Sequence, residues 1–147
     1  MKMYSFNGRF SIRLDDKNRI RIPAKFKAEL GSDYKLAFAP DKCIRVLPAK
    51  EYEKIIESFG DASFFDDEKQ EAISAFSAMV FDVAEDPQGR VVIPQELVDY
   101  AEIEKDIVVS GAVSYLKIQA ADRFAEKNAK LDMAGIYARL NAAKKQG

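Results

Sequence analysis

Two stretches decide how this chain is read: Asp15-Asp16-Lys17-Asn18-Arg19-Ile20-Arg21-Ile22-Pro23, and, 71 positions later, Asp86-Pro87-Gln88-Gly89-Arg90-Val91-Val92-Ile93-Pro94. Aspartate, arginine, isoleucine and proline coincide at that offset. Upstream, Phe10 and Ile12 fall on Phe81 and Val83. Downstream, Phe26 falls on Leu97, Leu36 on Ile107 and Leu47 on Ile118, and a slip of one residue near position 50 sets Tyr52 against Phe124. The chain therefore divides into a first repeat at 4–60, a linker with the start of a helix at 61–75, a second repeat at 76–128 and a helical tail at 129–147. Two copies are too few for a solenoid, which needs at least three stacked units, so the pattern reads as a duplicated half-domain.

Each unit has the same grammar. Phe6, Gly8, Phe10, Ile12 and Leu14 alternate with Asn7, Arg9, Ser11 and Arg13, the period of a half-buried strand with a polar, partly basic face. Residues 15–18 break that strand. Arg19-Ile20-Arg21-Ile22 resumes the alternation with both arginines on one face. Asn18 and Gly89 occupy equivalent turn positions, and both tolerate positive φ, so a hairpin with a left-handed residue is expected. Pro23 and Pro94 suit the first turn of short helices over 24–30 and 95–100, with Gly31 stopping the first. Strand pairs follow at 34–39 and 43–47, joined by Pro40-Asp41-Lys42, and at 106–110 and 113–118, joined by Gly111-Ala112. A further helix places Tyr52, Ile55, Ile56 and Phe59 on one face. Another over 67–79 turns Ala72, Ile73, Ala75 and Phe76 inward and starts on the acidic run Asp66-Asp67-Glu68, a helix N-terminal pattern. Four short strands bury too little apolar surface to stand alone. The expected fold is mainly β with short helices (α+β): one pseudo-twofold barrel in which the two units interleave, closed so that no strand edge is left open.

Composition narrows the chemistry. The chain has 147 residues, 48% apolar and 32% charged, ordinary for a globular domain. No apolar run is long enough to span a bilayer, and residues 1–6 lack the apolar core of a secretory signal. The single cysteine, Cys43, cannot form an intrachain disulfide and fits a reducing, cytoplasmic setting; its alternation with Ile44 and Val46 makes it a core residue. Histidine is absent, which removes the commonest general base, the commonest metal ligand and every Ser-His or Cys-His pair. Neither an enzyme nor a metal or cofactor site is expected.

The net charge of −1 is segregated. Residues 1–50 hold 12 Lys and Arg against 5 Asp and Glu, residues 51–122 hold 5 against 17, and residues 123–147 hold 6 against 2. Such blocks fit either a polyanion bound on one side or oppositely charged lobes paired with each other. The repeated Asp-x-x-x-Arg is equally two-sided. The aspartate can hold its own turn and the arginine can pair with it; or the arginines can point outward to phosphates and base edges, which their planar donor fork suits. Arg9, Arg13, Lys17, Arg19, Arg21, Lys25 and Lys27 favour the outward reading in the first unit, whereas Arg90 stands almost alone among Asp82, Glu85 and Asp86. A pI of 5.6 puts the burden on local geometry rather than total charge.

The two nine-residue blocks resemble the signature of the AbrB/SpoVT swapped-hairpin superfamily, and two copies in one chain of this length resemble the MraZ family of bacterial transcriptional regulators. The resemblance spans about 4–124. It implies a swapped-hairpin barrel, a ring-shaped homo-oligomer (an octamer or larger) and nucleoid-associated binding to direct repeats of double-stranded DNA in the promoter of its own operon, the division and cell-wall gene cluster. Carried over by position, Arg19 and Arg90 contact DNA, with Asp15, Asn18, Asp86 and Gly89 forming the turns; Lys17 and Arg21 join them on the charge pattern. The resemblance departs at Asn18, where glycine is usual, in the segment 70–82, which lacks arginine, and in the absence of tryptophan after the last strand. An antitoxin-like or purely structural ring that binds a protein instead of DNA is the alternative.

Overall fold

The computed structural model describes residues 4–60 and 65–146; of the linker expected at 61–75, residues 61–64 lie outside the described residues. The first repeat supplies β1 (Arg9–Arg13), β2 (Arg19–Arg21), α1 (Ala24–Leu30), β3 (Tyr34–Ala39), β4 (Cys43–Pro48) and α2 (Ala49–Ser58). After α3 (Asp67–Ala78) come β5 (Val80–Asp82), β6 (Arg90–Val92), α4 (Gln95–Tyr100), β7 (Asp106–Gly111), β8 (Leu116–Ala120) and α5 (Ala121–Ala129); α6 (Met133–Gln146) ends the described chain. As the sequence suggests, Asp66 caps α3, its carboxylate accepting from the Lys69 N–H at 3.1 Å.

Strand pairing shows how the repeats are tied together. Among the described residues only β3–β4 and β7–β8 pair within a repeat. β1 pairs with β7, β5 with β3, β4 with β8 and β2 with β6, every one antiparallel and every one across repeats. The result is a six-stranded sheet in the order β1-β7-β8-β4-β3-β5 and a separate ribbon, β2-β6. This is the tandem swapped-hairpin architecture. Ile20 faces Val91 at the centre of the ribbon. The same two residues coincide at the offset of 71, so the pseudo-twofold axis passes between them. Both are buried and join one core with Phe26, Leu36, Ile44, Ile93, Leu97 and Ile118. Because that core is shared, neither repeat could keep it dry alone.

Several local expectations are revised. The strands flanking each Asp-x-x-x-Arg turn do not form a hairpin with each other; one joins the sheet and the other the ribbon. β1 and β5 are the two ends of the six-stranded sheet and are not bonded to each other, so the ribbon completes the barrel by packing rather than by hydrogen bonds. The fixed offset fails beyond α4. Phe10 faces Val109 while Phe81 faces Leu36, which makes Val109, not Ile107, the counterpart of Leu36. The longer loop at 101–105, against 31–33, inserts two residues, an even shift that keeps the side chains of β7 on their expected faces; the next turn is one residue shorter, so Val46, not Leu47, is the counterpart of Ile118. Within 6–14 only Phe6 and Leu14 are deeply buried, and Phe10 is 38% exposed against the edge of the Phe26 ring. Ile56, Ala72 and Ala75 face solvent rather than the core, because α2 and α3 lie on the outside of the sheet.

The last hairpin also turns later than its glycine suggests. Phe6 and Val113 exchange backbone hydrogen bonds of 2.9 and 3.0 Å, which holds Val113 in a turn at φ 67° and delays β8 to Leu116. This crossing explains Gly111: a Cβ there would lie 2.4 Å from both Asn7 N and Phe6 C. Gly111→Ala is therefore expected to detach the N-terminal segment. Hydrogen exchange checks it, with protection lost at the Phe6 and Val113 amides while the buried amides of β4 stay protected.

Candidate nucleic-acid interface

The two Asp-x-x-x-Arg turns are built alike. In the first, Asp15 Oδ1 accepts the N–H groups of Lys17 at 2.9 Å and Arg19 at 2.8 Å, and Oδ2 accepts Arg19 Nε at 2.7 Å. In the second, Asp86 Oδ1 accepts those of Gln88 and Arg90 at 2.9 and 2.8 Å, and Oδ2 accepts Arg90 Nε at 2.8 Å. Backbone bonds from Asn18 to Asp15 and from Gly89 to Asp86 close the turns, with Asn18 at φ 57° and Gly89 at φ 77°. A short acceptor that can fold back on its own loop is needed at the first position, and a residue at ease in the left-handed region at the fourth.

Each carboxylate does two things at once. It satisfies the turn, and by binding only Nε it fixes the guanidinium while leaving the Nη groups without a protein partner among the described residues. Partial burial pushes the Asp15 carboxyl up, but the N–H and guanidinium of Arg19, together with the Lys17 N–H, outweigh it and bring its pKa down to about 2. Asp86 is likewise lowered, chiefly by the Arg90 N–H. A carboxyl whose pKa falls on folding stabilises the fold above its ordinary value of 3.8 and loses that contribution as pH drops toward about 2. The stability gap between wild type and Asp15→Asn is thus expected to be constant near neutrality and to shrink between those two pH values, as read from melting curves.

The ribbon sets what the turns present. Arg19 faces Val92, and Arg21 faces Arg90. With Ile20 and Val91 buried beneath, all four of these side chains stand on the opposite face, three arginines and one exposed valine. Arg21 Nε donates to the Gln88 carbonyl at 2.9 Å, across the repeat boundary. Beside this face lies an open cleft of about 630 Å³ whose rim includes Arg13, Arg19, Arg21 and Arg90. Lys17 projects from the first turn, exposed. Every candidate residue thus falls on or beside one ribbon. Arg13, one of the basic run that favours the outward reading though not one of the four assigned DNA contacts, joins them on the cleft rim. Gln95, which the sequence did not single out, has its Oε1 accept Asn18 Nδ2 at 2.8 Å and braces one repeat against the other. The cross-repeat packing reveals Gln95.

Several charges of the second repeat are paired across the repeat boundary. Glu85 pairs with Lys27 at 2.7 Å, Asp82 with Lys35 at 2.5 Å, and Lys105 of the second repeat with Asp16 at 2.9 Å. Paired lobes, one of the two readings of the charge blocks, are therefore real, and they leave the arginine face out of the pairing. Among the described residues no helix is long and apolar enough to cross a membrane.

A tandem swapped-hairpin barrel whose two turns each aim an arginine with a carboxylate defines a narrow class of protein. The family model described as "MraZ protein, putative antitoxin-like" matches residues 5–73 and 80–142, and the chain belongs to the MraZ family. It is 32% identical over 137 residues to a protein of Clostridium acetobutylicum, covering 92% of this chain and 96% of that one. It is 38% identical over 121 residues to one of Paenarthrobacter aurescens, covering 82% and 85%. It is 35% identical over 120 residues to one of Salinispora arenicola, covering 82% and 83%. All three are named transcriptional regulator MraZ.

Proposed function

We propose that this protein is a transcriptional regulator that binds double-stranded DNA through the β2–β6 ribbon and its two turns. The observation that carries this reading is the ribbon face itself: three arginines side by side, two of them clamped at Nε by a carboxylate that leaves their remaining donors without a protein partner among the described residues. Such preset forks suit phosphate oxygens and the acceptor edge of guanine. An isolated fold gains nothing from setting like charges opposite each other; a polyanion laid across them turns that cost into affinity.

The regulator acts as a ring-shaped homo-oligomer on direct repeats in the promoter of its own operon, in the division and cell-wall gene cluster. The uncovered apolar side chains of Met133, Tyr137 and Leu140 on α6 support self-association. A ring presents many modest ribbons to spaced sites, so weak contacts multiply, and this reconciles a pI of 5.6 with DNA binding. Mobility shift with the duplex upstream of its own gene, repeated across a salt series, tests the proposal. Retardation that weakens steeply with salt, about one unit of log–log slope per phosphate neutralised, is expected. No salt-dependent affinity for any duplex would leave the family's antitoxin-like description as the better guide.

A further inference from the structure

The two turns are unequal in sequence. The first carries Lys17 beside Arg19, and its additional acid, Asp16, is paired with Lys105 at 2.9 Å; the second carries Gln88 at the position of Lys17, so Arg90, balanced by Asp86, would add no net positive charge there. The fold supplies what the second repeat lacks. Antiparallel pairing sets Arg21 directly opposite Arg90, and the 2.9 Å bond from Arg21 Nε to the Gln88 carbonyl anchors it on the second turn. Its remaining donors have no protein partner among the described residues, and the side chain is exposed. We propose that Arg21, although it belongs to the first repeat, is the nucleic-acid contact of the second turn, doing there what Lys17 does for the first.

This rests on the DNA-binding reading above and adds to it an assignment across the repeat boundary. It also explains why valine suffices at position 92. That residue faces Arg19, at the end of the ribbon beside the turn that already has Lys17, so no borrowed cation is needed.

The test is a salt-series mobility shift on the duplex upstream of the gene, with heat melts of the same preparations. Arg21→Val, which installs the residue found at the equivalent ribbon position, is expected to weaken binding and to lower the log–log salt slope by about one. Its melting temperature should be equal or higher, because a like-charge pair across the ribbon is relieved. Adding Gln88→Lys, which copies Lys17 into the second turn, is expected to restore both affinity and slope. Unchanged affinity in Arg21→Val, with binding still lost in Arg19→Ala, would overturn this assignment and leave the DNA-binding reading intact. A loss that Gln88→Lys does not restore would overturn it too, since Arg21 would then act away from the second turn. If the wild-type protein shows no salt-dependent affinity, both fall together.

Discussion

Replacing Arg19 and Arg90 together by alanine is expected to abolish DNA binding while leaving the fold and the assembly unchanged. A well-placed arginine fork is worth about 1–3 kcal/mol at a base edge, so two lost from each ribbon cost about one and a half to four decades of affinity, and more when many ribbons engage at once. The fold should tolerate the change. Asp15 and Asp86 keep the two backbone N–H bonds that hold each turn, and the arginine side chains are only partly buried. Mobility shift gives the affinity, and light scattering the size of the assembly. If the double variant keeps its affinity, the arginines do not contact DNA. If the assembly falls apart, the Arg–Asp pairs serve the structure, the arginine holding its own turn, which is the other meaning open to this motif from its sequence.

The largest expected effect on stability lies at Ile118. It is fully buried and faces Ile44 in β4 on one side and Val109 in β7 on the other, where the two repeats' hairpins meet. Ile118→Ala removes three carbons from a site that neighbouring strands prevent from collapsing, which costs about 2–5 kcal/mol. Against a typical total of about 5–15 kcal/mol, much of the folded population is at stake. Urea unfolding is expected to show a lower midpoint with an unchanged slope. Ile56→Ala, at a site 43% exposed on α2, should stay within about 0.5 kcal/mol of wild type. Equal losses at both positions would contradict the core described here.

Much of this was legible because duplication prints the same signals twice. The pairing of Asp15 with Asp86 and of Arg19 with Arg90, the helices behind Pro23 and Pro94, and the left-handed turn residues Asn18 and Gly89 all follow from side-chain chemistry acting over a few residues. What was not legible depends on partners distant in sequence. Alternation in 6–14 predicts a strand but not that its middle lies at a sheet edge, where Phe10 stays half open. The two extra residues of the 101–105 loop shift the alignment without breaking the apolar pattern, so Leu36 could be set against Ile107 with no visible conflict. The delayed start of β8 comes from Phe6 reaching Val113, a contact more than a hundred residues apart along the chain. Arg21 shows the same limit at the site: its charge is plain in the sequence, but its place on the second turn is set by the register of β2 against β6.

If the ribbon binds as proposed, both of its turns lie against the duplex, and site-directed cross-linking reads that placement directly. A photoreactive group attached to a cysteine at position 17 or at position 88, both exposed turn sites, should cross-link to bound promoter DNA. The same group at the exposed Lys130, beyond α5, should not. Cross-links from position 130 with none from 17 or 88 would place the DNA on another face and rule out the ribbon as its binding surface.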